Sequence, residues 1–198
     1  MSNEVLAGRD YVLIVDKSGS MSMADCNGKT RWAAAKESSE ALARKCAEFD
    51  PDGIDIYVFA NTFKKYANTT AENVSRIFDE NEPNGGTALD LVLKDAFDCY
   101  FADKKRPVTI LVITDGEPND KNAVSNLIIN TSQRLEKDEE IAVSLLQVGK
   151  DVLAGAYLKS LDDDLMKSGA KFDIVDTVTF DQMDHMTLTE VLINAIND

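Results

Sequence analysis

The sequence predicts an α/β protein: a three-layer sandwich with a mostly parallel central sheet, one antiparallel edge strand and helices on both faces. Three observations predict it. Apolar runs of strand length alternate with segments of helical periodicity along the chain. Parallel neighbours need crossovers, and those crossovers are helices, so such alternation implies a sheet covered on both sides. No internal repeat or low-complexity linker interrupts the order, and 198 residues suffice for one substantial core while being short for two. Residues 1–198 are therefore read as a single domain.

The first strand is the run Tyr11-Val12-Leu13-Ile14-Val15. Residues 30–49 then place Trp32, Ala35, Leu42, Cys46 and Phe49 on a helical period, with Ser39 filling a gap in the stripe, and Asp50-Pro51-Asp52-Gly53 stops that helix. Residues 54–60 alternate as a strand, and residues 63–66 return beside it as a short edge hairpin. Residues 71–78 read as a short helix. Leu89, Val92, Leu93, Ala96, Phe97 and Tyr100 mark the next helix, which leads to the strand 108–113. Asp120 is placed to cap a helix running to about Lys137. A strongly apolar strand at 141–148, a helix at 154–167 and a last short strand at 172–175 follow. Thr187-x-x-Glu190 makes a capping box ahead of a final helix carrying Leu188, Val191, Leu192, Ala195 and Ile196.

Charge and cysteines bound the function. A formal net charge of −14 argues against nucleic acid or an anionic membrane as principal partner, because phosphate binding needs a basic stripe and none is evident. Cys26, Cys46 and Cys99 are odd in number, widely spaced and lack a C-x-x-C pair, so they suggest neither a disulfide framework nor a zinc site. Reduced thiols in a cytoplasm are the expectation. The N-terminus shows no basic segment followed by an apolar stretch, and no run reaches the length of a membrane helix.

The chemistry lies where strands end. Asp16-Lys17-Ser18-Gly19-Ser20 follows the first strand directly, and Thr114-Asp115-Gly116 follows the run 108–113. Between them, Asn84-Gly85-Gly86-Thr87 delivers a hydroxyl just ahead of a helix. In an open parallel sheet, ligands sit at the carboxyl ends of the strands where strand order reverses. Carboxylates and hydroxyls there form a set of hard oxygen donors, suited to Mg²⁺, Mn²⁺ or Ca²⁺. Each piece alone is also ordinary turn chemistry. Their combination carries the signal.

The trio Asp16-x-Ser18-x-Ser20, Gly86-Thr87 and Thr114-Asp115-Gly116 resembles the metal-ion-dependent adhesion site of von Willebrand factor A domains, and the resemblance covers roughly residues 9–196. It implies a Rossmann-like sheet with the metal on its top rim. It also implies that Ser18 and Ser20 ligate directly, Asp16 and Asp115 act largely through water, and Thr87 ligates directly in a high-affinity state. An ion held mostly by neutral direct ligands keeps its electrophilicity, and an Asp or Glu carboxylate of a partner protein completes its octahedron. Stand-alone intracellular members of the family often work with MoxR-type AAA+ ATPases, so the resemblance implies an adaptor rather than an enzyme.

The rival reading is a Mg²⁺-dependent phosphatase or phosphotransferase, since an aspartate at a strand end also resembles the haloacid-dehalogenase type. There a second acid follows two positions on; here that position is Ser18, so a general acid and a metal carboxylate would be missing. Other residues take plainer roles. His185, the single histidine, is read as exposed or capping, and Trp32 as core. Asp162, Asp163 and Asp164 point different ways on a helix. Glu117 and Asp120 are rim groups or helix caps. Cys26, in the loop after Ser20, is a neutral thiol by default.

Overall fold

A computed structural model describes residues 2–197. Among them six strands, β1 (Asp10–Asp16), β2 (Ile54–Phe59), β3 (Phe63–Thr69), β4 (Val108–Thr114), β5 (Ile141–Gln147) and β6 (Val175–Thr179), form one sheet in the order β3-β2-β1-β4-β5-β6. Every pairing is parallel except β2 with β3, the antiparallel edge hairpin that the sequence predicts. The helices are α1 (Ser2–Leu6), α2 (Arg31–Ala47), α3 (Val74–Asp79), α4 (Leu89–Asp103), α5 (Lys121–Gln133), α6 (Val152–Asp163), α7 (Phe180–Met183) and α8 (Leu188–Asn197). No described helix is long and apolar enough to cross a membrane.

Strand side chains alternate between two cores, as a period of two requires. Ile14, Ile110, Val112, Val143 and Leu145 face the layer of α4, α5 and α6, packing with Leu89, Val92, Phe97, Ile128 and Leu158. Their neighbours Leu13, Val15, Leu111, Ile113 and Leu146 face α2, α3 and α8, packing with Ala35, Leu42, Ile77, Phe78 and Leu192. Both faces of β1, β4 and β5 are thus dry, which is why these strands read as near-continuous apolar runs rather than alternating ones.

Helix ends follow local chemistry. Thr30 caps α2 by accepting the Ala33 N–H, and Asp120 caps α5 through the Ala123 N–H. The Thr187 hydroxyl accepts from the Glu190 N–H while Glu190 Oε2 accepts from the Thr187 N–H, the expected capping box.

Several boundaries differ from expectation. The last strand lies at Val175–Thr179, not 172–175, because it is an edge strand whose Asp176 and Thr177 carry no apolar signal. β3 runs on to Thr69 through polar residues for the same reason. α5 stops at Gln133 and α6 at Asp163, both short of expectation. α1 and α7, of one to two turns each, were not foreseen. Trp32 is half-buried rather than core, its ring tilted against Phe78 at 4.4 Å.

Candidate metal centre

β1 and β4 are neighbours at the centre of the sheet, and from them the strand order runs to opposite edges. The loops leaving the two strands therefore diverge and open a crevice at the carboxyl edge. Asp16 is the last residue of β1, and Asp115 the first after β4.

Asp16 is 0 % exposed, and both its carboxylate oxygens are held. Oδ1 accepts the Ser18 N–H at 2.7 Å and Oδ2 accepts the Thr114 hydroxyl at 2.7 Å. Burial pushes this carboxyl up to about 6; the bonds from Ser18 and Thr114 oppose the rise, and the nearby Asp115 charge adds to it. A short 3₁₀ turn, Gly19–Ser22, anchored by the fully buried Met21, curls the loop so that the Ser18 and Ser20 hydroxyls lie 3.1 Å apart. The Ser20 hydroxyl then donates to Asp115 Oδ1 at 3.0 Å. Asp115 is 1 % exposed.

The loop carrying Thr87 is stapled to both of the others. The Asn84 N–H donates to the Lys17 carbonyl at 2.7 Å and the Gly19 N–H to the Gly85 carbonyl at 3.0 Å, which joins it to the first loop. Asn119 joins it to the third, accepting the Thr87 N–H at 2.9 Å on Oδ1 and donating its own N–H to the Thr87 carbonyl at 2.8 Å. Asn61 Oδ1 holds the Gly86 N–H at 3.0 Å. Gly86 is required here: a Cβ would meet Asn61 Oδ1 at 2.6 Å and Asn119 Oδ1 at 2.8 Å. Among the described hydrogen bonds, none links the Thr87 hydroxyl to the Ser18–Ser20–Asp115 chain. The loop that carries it is held by backbone bonds together with the Asn61 and Asn119 side chains.

One residue enters the crevice that sequence reasoning missed. Arg31, in the first turn of α2, donates from Nη1 to Asp115 Oδ2 at 2.8 Å, and from Nε and Nη2 to Asp25 at 3.0 and 2.5 Å. It is 5 % exposed, and Gly149 lies so close that a Cβ there would sit 2.5 Å from Nε. The bonds it donates to Asp25, then that to Asp115, hold the guanidinium above its usual pKa. Asn61 and Asn119 were missed as well. Their contacts span 25 and 32 residues, and nothing local marks an asparagine for such a role.

The donor set fits a hard cation. The Ser18 and Ser20 hydroxyls and Asp115 form one chain of oxygens, the Ser18 N–H ties the Asp16 carboxylate to it, and Asn119 holds the Thr87 backbone. Among the described residues no group of three or more Asp, Glu, His or Cys side chains is placed to hold a metal ion, so hydroxyls must supply part of any shell, as Mg²⁺ and Mn²⁺ accept and Zn²⁺ disfavours.

The remaining candidates fall outside this chain. Asp120 is a helix cap, and Glu117 pairs with Lys121 at 2.7 Å. His185 is exposed, with its N–H on the Gln182 carbonyl. Asp162 accepts the Thr177 N–H while Asp163 and Asp164 pair with Lys159 and Lys167, three different directions as expected. Burial pushes the Cys26 thiol up and Asp25 adds to the effect, so it is neutral; the three cysteines are free.

The family model for the von Willebrand factor type A domain matches residues 11–117. Comparison with curated protein sequences finds no match. Among solved structures, the chain is similar to the manganese-loaded TRAP protein of Plasmodium vivax at a TM-score of 0.67 and 14 % identity, covering 96 % of this chain and 74 % of that one. It is also similar to a D319A mutant of the PilB minor pilin of Streptococcus sanguinis (0.63; 15 %; 97 % and 60 %) and to a von Willebrand factor type A protein of Catenulispora acidiphila (0.55; 19 %; 83 % and 42 %). Against these last two the chain spans about half of the longer molecule. At such identities the likeness is one of fold, whereas the family model covers more than half of the sequence and ends on the loop after β4. This chain belongs to the von Willebrand factor type A domain family, whose members generally mediate metal-dependent protein interactions.

Proposed function

We propose that this chain is a metal-dependent protein-binding module. One divalent cation, Mg²⁺ or Mn²⁺ before Ca²⁺, is held by Asp16, Ser18, Ser20, Thr87 and Asp115, and an Asp or Glu carboxylate of a partner protein completes its shell. The observation that carries this reading is one hydrogen-bonded run from Asp16, through the Ser18 N–H and then the Ser18 and Ser20 hydroxyls, to Asp115, built from two strand ends 99 positions apart in sequence and closed at the sheet's switch point. The metal in the Plasmodium vivax TRAP structure supports the choice of a divalent ion by likeness of fold. A MoxR-type AAA+ ATPase is the partner class we put first, and three free thiols suit a reducing cytoplasm.

Geometry favours binding over the phosphotransferase alternative. A nucleophilic aspartate must present an oxygen to substrate. Asp16 is fully buried with both oxygens occupied, and Ser18 stands where the second acid would be.

Titration of EDTA-stripped protein with MgCl₂ by calorimetry tests the site: one binding event is expected, lost in Asp16→Ala. That variant is expected to lose about 1–3 kcal/mol of stability, since the Ser18 N–H and Thr114 hydroxyl are left without their acceptor. Metal binding undiminished in Asp16→Ala would move the site elsewhere. A partner captured equally well with and without EDTA would remove the metal from recognition.

A further inference from the structure

Arg31 is placed where a metal-binding carboxylate would ordinarily be left to the metal. Its Nη1 takes one oxygen of Asp115 at 2.8 Å while the Ser20 hydroxyl takes the other at 3.0 Å. Asp25, on the far side of the guanidinium and open to solvent, binds Nε and Nη2. Backbone accommodates the arginine: the Arg31 N–H donates to the Met23 carbonyl at 2.9 Å, and Gly149, where a Cβ would sit 2.5 Å from Nε, makes room for the guanidinium beside the β5–α6 loop.

We infer that Arg31 sets the strength of the metal centre: it shares Asp115 with the bound cation, holding that carboxylate in place in the metal-free protein and weakening the cation's hold by like charge. The inference rests on the metal-centre reading given above. A single carboxylate carries one negative charge, and a guanidinium on one oxygen neutralises much of what a cation on the other would feel. The charge count of the buried site is then two carboxylates against one fixed cation, so the ion arrives at a centre already half balanced. Two consequences follow. Metal binding is weak and reversible, and the bound ion retains charge that an external carboxylate satisfies, which is the property an adhesion-type site needs. Asp25 works from outside the pair: its charge offsets Arg31 and so shields the ion from it.

The test uses changes with opposite expected signs, read by titration of MgCl₂ and MnCl₂ into EDTA-stripped protein. Arg31→Met, which removes the charge but keeps an apolar stem, is expected to bind metal about tenfold more tightly, and Asp25→Asn about threefold or more weakly, because one removes a repelling charge and the other its shield. Arg31→Lys keeps the charge without the fork and is expected to bind within about threefold of the parent. Metal-free Arg31→Met is expected to melt lower than the parent, since Asp115 loses its counter-charge, and to gain more in melting temperature from Mg²⁺. Arg31 as a mere structural prop would instead weaken metal binding in Arg31→Met and in Arg31→Lys alike, and that result overturns the inference. Should metal-free Arg31→Met fail to fold, Asp25→Asn is the deciding variant, and unchanged or tighter binding there overturns it equally. A parent protein that binds no divalent ion removes the metal centre itself, whereas a parent that binds with Arg31→Met unchanged removes only this inference.

Discussion

At the carboxyl edge of the sheet, Asp16 and Asp115 have every oxygen bonded at 2.7–3.0 Å; at the amino edge, Asp10, Asp50 and Asp52 surround Arg106 at 3.5, 3.6 and 3.4 Å. The amino edge has the larger number of carboxylates, with Asp55 and Asp103 also lining its cavity of about 390 Å³. Yet Asp10, Asp50 and Asp52 lean on one half-exposed arginine, Asp55 and Asp103 pair with Lys65 and Lys105, and Asp50, 3 % exposed, keeps an oxygen with no hydrogen bond. The contrast separates acidity from a site. Carboxylates become a cation site when hydroxyls and backbone stand between them and converge their oxygens, and at the carboxyl edge Ser18, Ser20, Thr114 and the Gly85–Thr87 loop do this.

The largest expected effect on this contrast comes from the metal itself. A ligand that binds only the folded state stabilises it by RT ln(1 + [L]/Kd), about 2.7 kcal/mol at a hundred times Kd. Thermal melts in excess Mg²⁺ are expected to show that gain in the parent and in Asp50→Asn, and to lose it in the Ser18→Ala/Ser20→Ala double variant. A gain that follows Asp50 instead would make the amino edge the site.

Next comes pH. The folded Asp16 carboxyl at about 6 lies above the roughly 3.9 of an unfolded aspartate, so between those values the native state binds more protons than the unfolded state. Stability of the metal-free protein is therefore expected to fall as pH rises from about 4 through 6, by something of order 2 kcal/mol from this group. Burial raises Asp10 and Asp50 as well, so both edges contribute to the fall. Mg²⁺ is expected to cancel only the Asp16 part, and Asp16→Asn to flatten the curve in EDTA. Denaturant unfolding at several pH values reads this, and a Mg²⁺ effect of one size at pH 4.5 and pH 7 would contradict it.

The smallest effect sharpens the role of the loop staples. Gly86→Ala places a Cβ against Asn61 and Asn119 and is expected to cost about 1–2 kcal/mol and to weaken metal binding. Gly116→Ala, beside the same site but with open space around it, is the control and is expected to be near neutral. Equal costs for the two would mean that the Asn61 and Asn119 contacts do not hold the loops together.

What was legible in the sequence follows from where information is local. β1, β4 and β5 announce themselves because both faces are buried, α2 by the helical stripe of Ala35, Leu42 and Cys46, and α5 and α8 because Asp120 and Thr187-x-x-Glu190 cap them. β6 was misplaced because its apolar residues, Val175 and Val178, are separated by half-buried polar ones that read as loop. At the site, Asp16, Ser18, Ser20 and Asp115 stand in short motifs on two strand ends and the structure brings them together. Arg31 reads as any helix residue until α2 docks and carries it 84 positions across the sequence to Asp115. Gly149 shows its purpose only through that arginine.

A crystal structure of the protein grown with MnCl₂, with the metal located by its anomalous scattering, tests the central claim most directly. The expected result is a single strong peak at the carboxyl edge, bounded by the Ser18, Ser20 and Thr87 hydroxyls and facing Asp16 and Asp115. A peak among Asp10, Asp50 and Asp52, or no ordered Mn²⁺ at millimolar concentration, would contradict it.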